Sequence, residues 1–225
     1  MGRTATKEDD MRSALFLAAA LCMGLTVPAI FAHDMHIAAA TPAPSVSTKL
    51  QTTRTALRDL WHGHVVAVRK VVVAGIAKNK AAEAKAEAEV VGNAHAIAGA
   101  IEPYYGAPAR DQLFTLLAGH YGAVKAYFEA SLAKDAKKES EATDQITTNA
   151  EAIAKFLSGA NPNLPEATLL ELLQVHGSHH ISQIQQLIAK DHAGEAATWK
   201  EMTDHMNVIA DALADGIAKQ FPAKF

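Results

Sequence analysis

Leu60-Trp61-His62-Gly63-His64, Leu116-Leu117-Ala118-Gly119-His120 and Leu172-Leu173-Gln174-Val175-His176 stand at a constant interval of 56 residues. The register extends without a gap to either side. Ala77-Lys78 falls on Ala133-Lys134 and Ala189-Lys190, Glu83 on Glu139 and Glu195, and Ile97-Ala98 on Ile153-Ala154 and Ile209-Ala210. Asn93 falls on Asn149 and then on His205. Alanine matches carry little weight in an alanine-rich chain. Histidine, asparagine and glutamate at one offset carry the repeat, and self-similarity at such a period marks stacked supersecondary units.

Each unit reads as two helices. Apolar residues recur at helical spacing, as in Leu57, Leu60, Trp61, Val65 and Val68, and again in Leu169, Leu172, Leu173, Ile184, Leu187 and Ile188. The predicted helices span 49–78, 81–102, 108–134, 137–158, 165–190 and 194–220. Pro103 to Pro108 separates the second from the third, and Gly159 to Pro165 the fourth from the fifth. Lys78-Asn79-Lys80, Lys134-Asp135-Ala136 and Lys190-Asp191-His192 suit tight antiparallel turns. No strand pattern of similar length competes. The expected fold is all-α, a six-helix bundle built from three 56-residue antiparallel helical hairpins in tandem.

The turns set a common height. His64 and Asn93 lie at nearly equal distances from Asn79, as do His120 and Asn149 from Asp135, and His176 and His205 from Asp191. Equal distance from an antiparallel turn means equal level, because the helical rise per residue is constant. Apolar neighbours at three- and four-residue spacings point these residues inward. The expectation is a polar belt of His64, Asn93, His120, Asn149, His176 and His205 inside an apolar core. Buried polar side chains are costly unless bonded or ligated.

Imidazole is a common metal ligand, and bundle interiors host metal and cofactor sites. The expected ligands are His64, His120, His176, His180 and His205. His180 follows His176 by one turn, so the two can grip one ion. Asn93, Asn149 and Glu201 are expected to support them by hydrogen bonding, with Glu201 one turn before His205 and able to ligate or orient it. Zinc, copper and iron all accept imidazole. Haem held by two histidines is a variant and would be non-covalent, because no Cys-x-x-Cys-His signature is present. The competing reading is a belt that fixes packing and binds nothing. His62, His95, His179 and His192 read as surface residues, and Trp61 as a core filler.

Composition bounds the rest. The chain has 225 residues, 49% hydrophobic and 20% charged, enough for one domain with a real core. A formal net charge of −3 leaves no basic stripe for nucleic acid. Arg12, the apolar run Ala14 to Phe31, and Ala32 before His33 read as a signal peptide over residues 1–32. Its removal leaves no membrane span and predicts a periplasmic or secreted protein. Asp9 and Asp10 fit that pattern poorly, Met11 could be the true start, and an uncleaved anchor is the alternative. Cys22, the one cysteine, lies in this segment, so the mature chain has no disulfide or thiolate site. Residues 33–48, with Pro42 and Pro44, read as a flexible linker whose exposed His33 could chelate copper. The helical domain is expected over 49–225.

Leu60-Trp61-His62-Gly63-His64, Ile101-Glu102-Pro103-Tyr104-Tyr105-Gly106, Phe156-Leu157-Ser158-Gly159-Ala160-Asn161-Pro162-Asn163 and the final Gly216 to Phe225 resemble a widespread bacterial family of small helical proteins. The likeness covers nearly all of the chain after about residue 55. Members are often named glycosyltransferase or acetylglutamate kinase. This sequence has no strand-linked glycine-rich phosphate loop and no alternation of strand and helix, which such activities call for. The resemblance implies the helical fold and its boundaries, and supplies no catalytic residues. No nucleophile and base stand at a recognisable spacing. The function expected is therefore metal binding through the histidine layer, in metal or redox handling. The alternative is a non-enzymatic module that fixes packing or binds an envelope partner through Tyr104, Tyr105 and Asn161-Pro162-Asn163.

Overall fold

The computed structural model describes residues 47–225. The signal-peptide reading of 1–32 and nearly all of the linker reading of 33–48 lie outside the described residues. Six α-helices follow: α1 (Thr48–Ile76), α2 (Lys80–Tyr105), α3 (Ala107–Ala133), α4 (Ala136–Ala160), α5 (Glu166–Ala189) and α6 (His192–Gln220). A short 3₁₀ turn, Pro222–Lys224, ends the chain. There is no strand among the described residues. No helix among them is long and apolar enough to cross a membrane.

The three short turns are built alike. Lys78, Lys134 and Lys190 take left-handed φ values of 56°, 56° and 59°. After each, Asn79, Asp135 or Asp191 accepts a hydrogen bond from the backbone N–H three residues on and starts the next helix. The residue after each lysine also donates its N–H to a carbonyl five residues back: Asn79 to Ala74, Asp135 to Ala130, Asp191 to Gln186. That six-residue bond defines the Schellman stop and satisfies carbonyls the helix end leaves open.

The α2–α3 break differs from the sequence expectation. Pro103 does not end α2, which continues to Tyr105. A proline this near a C-terminus removes one backbone donor and leaves the last turn intact. The break falls at Gly106, whose φ of 82° suits glycine, with Pro108 in the first turn of α3. At the α4–α5 break, α4 runs to Ala160 and Asn161 is fully buried.

Consecutive helices pack on one another, and α6 packs back on α1, which closes a ring. Contacts among α1, α3 and α5 cross its middle. The buried residues explain the inward place of α1. Leu57, Trp61, His64, Val65, Val68, Val71 and Val72 form a long buried stripe on it, which Ala67 and Ala74 widen to about half of the helix surface. α4 buries only the stripe Ala142, Ile146, Ala150, Ile153, Ala154, so its other faces stay in water. Arg54 and Arg58 on α1 each make a two-pronged ion pair, with Asp215 and Asp211 on α6. Arg69 donates to both carboxylate oxygens of Glu195. These pairs join the first helix to the last and set their antiparallel register.

Candidate metal centre

His64 on α1, His120 on α3, and His176 and His180 on α5 meet at the centre of the ring. All four are buried, at 5%, 7%, 2% and 1% exposure. One ligand nitrogen from each lies within 4.8 Å of every other. They lie between two apolar layers. Leu57, Trp61, Leu113 and Leu117 belong to the layer toward Gly106, and Val68, Val71, Val124 and Tyr127 to the layer toward the short turns. The helical period produces this, since His64 and His120 sit three residues after Trp61 and Leu117 of one layer and four before Val68 and Val124 of the other, and His180 sits four before Ile184 of that second layer.

The rings form a tetrahedron. Their centroids are separated by 5.7 Å (His64–His120), 5.5 Å (His64–His176), 5.6 Å (His64–His180), 5.5 Å (His120–His176) and 5.7 Å (His120–His180). The sixth edge, His176–His180, is 4.4 Å. An ion with four imidazoles at metal–nitrogen distances of about 2.0–2.1 Å puts ring centroids roughly 5 Å apart. The tetrahedron therefore fits a four-coordinate ion after small side-chain movements.

Hydrogen bonding leaves the same atoms open. The Nε2 atoms of His64 and His120 are buried without a partner, as is Nδ1 of His176. The Nε2 atoms of His176 and His180 face each other at 3.1 Å, so without an ion one must donate to the other. Burial lowers all four pKa values, because a charged ring has no water there. His64 is lowered to about 3 by burial and then by His120. His120 is lowered to about 4 by burial. His176 and His180 lie well below the usual value, through burial and the surrounding histidines. No carboxylate contributes to any of these shifts. The centre is four neutral imidazoles with lone pairs available, the form that binds metal.

The structure does not bring His205 into this group. It is half-buried, and its Nε2–H donates to the Leu172 carbonyl at 2.8 Å. Asn93 and Asn149 do the same from the equivalent positions: their Nδ2 atoms donate to the Leu60 and Leu116 carbonyls at 2.9 and 3.0 Å. Each of these carbonyls lies four residues before a central histidine. The three residues thus hold the backbone turn from which His64, His120 or His176 projects, and none reaches an imidazole. Gly63 and Gly119 permit the approach, since a Cβ on them would lie 2.9 and 3.1 Å from the asparagine Nδ2 atoms. The six-membered belt is therefore corrected to four central histidines with three flanking clamps.

Glu201 is exposed and makes no ion pair or hydrogen bond to His205, because its side of α6 faces water. His179 is half-buried rather than on the surface, with a buried Nδ1 lacking a partner and its ring 5.5 Å from His205. Burial, and then His205, lower its pKa. His62 is half-buried against the Thr203 carbonyl, His95 stacks on Phe114, and His192 is exposed. Trp61 packs in the core, edge-on to His64.

Sequence reasoning missed a second polar group. Glu195 is buried and accepts from Arg69 and from Gln183 Nε2 at 3.1 Å. Its only sequence signal was the repeat of glutamate at that offset. At the Gly106 end, the Tyr105 hydroxyl donates to Gln220 Oε1 and accepts from Asn161 Nδ2. Tyr104 stacks on Phe225. These residues are engaged in closing the bundle end. Comparison with known proteins found no matching family model, no matching curated protein and no matching solved structure.

Proposed function

We propose that this chain binds one transition-metal ion through His64, His120, His176 and His180 and serves in metal or redox handling. The tetrahedron of buried, unprotonated rings carries the reading. A polar layer that served packing alone would gain nothing from leaving three imidazole nitrogens unpaired in an apolar core, at a cost of about 1–3 kcal/mol each. All four tetrahedral positions belong to the protein. Catalytic zinc sites keep one position open for water or substrate, so holding or passing on an ion fits this geometry better than turnover at it. Bound there, the ion would bridge the four helix turns, and the rings would orient it and exclude water.

The donor set accepts zinc, copper or iron, and the tetrahedral arrangement suits zinc, whereas divalent copper favours square-planar sites. With no carboxylate nearby, an ion of low charge is least costly to bury. Haem has less support, because a macrocycle would have to part rings whose centroids lie within 5.7 Å. The reading places the protein in the periplasm or outside the cell, on the signal pattern of residues 1–32. It also takes α1–α2, α3–α4 and α5–α6 as three copies of one 56-residue hairpin. The matched turns and the matched clamps Asn93, Asn149 and His205 support that. The likeness to the small helical bacterial family stands with this proposal.

Metal analysis of the full chain, expressed with its signal segment and purified without chelator, tests the reading. The parent and a His205→Asn variant should each carry about one ion per chain. A folded His64→Leu/His176→Leu variant should carry almost none. Metal content near zero in all three would overturn the proposal and leave a layer that only fixes packing.

A further inference from the structure

A second feature lies one helical turn from the imidazoles and has a different chemistry. A cavity of about 40 Å³ lies between the ring layer and the Gly106 end of the bundle. Trp61, Leu117 and Leu173, each three residues before a central histidine, form its inner wall. Ala160, Leu164 and Tyr105 close the far side.

The lining offers a polar guest too few partners to hold it. Tyr105 is the one lining side chain with a hydroxyl, and that hydroxyl is already bonded to Gln220 and Asn161. The indole Nε1 of Trp61 is buried without a partner and is the one open donor among the lining side chains, with almost no accessible surface. A water needs two to four polar partners to settle in a protein interior, whereas apolar cavities stay dry and take up xenon or small hydrocarbons. The volume exceeds the roughly 10–15 Å³ that one water requires but is well below the 150 Å³ of a cavity that holds benzene.

We infer that this cavity is a binding site for a small, uncharged apolar molecule of a few heavy atoms, the class of dioxygen and other apolar gases. The guest would touch the indole of Trp61 and the leucines that back His120 and His176. It would thus lie within one turn of the ring layer, shielded from water. The site rests on the cavity and its lining, independently of whether the four histidines hold a metal.

Xenon is the probe. Crystals of the full chain under xenon pressure should show one anomalous peak between Trp61 and Leu164, in chelator-treated and metal-supplied protein alike. Ala160→Ile should fill the space and abolish the peak. Ile153→Ala enlarges the cavity from another wall, and should retain xenon and gain stabilisation by benzene in a thermal melt. A peak absent from the parent, or one that persists at the same place in Ala160→Ile, would overturn the inference. Xenon uptake without metal content would leave this inference standing and remove only the metal proposal. The reverse pattern would do the opposite.

Discussion

Acid should unfold the metal-free protein, and the slope can be worked from the buried rings. In the unfolded chain each histidine titrates near 6.5. In the folded chain His64 and His120 titrate at about 3 and about 4, and His176 and His180 well below the usual value. Well above pH 6.5 both states hold neutral rings, and these four add no pH dependence. Below it the unfolded chain takes up protons that the folded core refuses, so stability falls as pH falls. Each ring's contribution approaches about 1.4 kcal/mol per pH unit well below 6.5, and the four together lose about 4 kcal/mol between pH 6.5 and 5.5, where the unfolded rings go from half to nearly fully protonated. Typical net stabilities are about 5–15 kcal/mol, so one pH unit removes a large fraction. Urea unfolding followed by far-ultraviolet circular dichroism, with chelator, at pH 7.5, 6.5 and 5.5 reads the slope. A His64→Leu/His120→Leu variant, with two titrating rings replaced by apolar side chains, should show about half of it. A stability that stays within about 1 kcal/mol from pH 7.5 to 5.5, or an equal slope in the variant, would refute the reasoning.

Three further outcomes follow from particular contacts. Asn149→Ala removes the clamp on the Leu116 carbonyl and should lower stability by about 1 kcal/mol in urea, while leaving one metal-binding event in a calorimetric titration. Gly75→Ala would place a Cβ 2.6 Å from the Phe128 ring. Despite alanine's better helix propensity it should lower stability by about 1–2 kcal/mol, read as a fall in calorimetric Tm. Lys134→Gly relieves a left-handed residue at φ 56° on an exposed turn. It should raise stability by about 0.5–1 kcal/mol, visible as a Tm a few degrees higher.

Much of the architecture was legible in residue spacing. Helix–turn–helix units, the three tight turns and the height of the histidine level all follow from counting along the chain, because a helix advances by a constant rise. His180 was legible as a partner of His176 because residues four apart share a face. The direction of Asn93, Asn149 and His205 was not. Their height was right, but the angle at which each side chain leaves its helix matters as much. A shift of one helix face sends Asn93 to the Leu60 carbonyl instead of to an imidazole. Glu201 fell on the wet side of α6 for the same reason.

The sequence by itself therefore determined the elements, their lengths within a few residues, and which residues share a level. These depend on local geometry and on the alternation of apolar and polar side chains. Only the tertiary structure decided that α1, α3 and α5 meet across the middle while α6 closes on α1 through Arg54–Asp215 and Arg58–Asp211. That choice brings four rings to one point, turns three would-be belt members into clamps, and leaves the apolar cavity beneath Trp61. The packing of non-neighbouring helices depends on side-chain shapes that meet across the fold, and the order of residues along one helix does not record it.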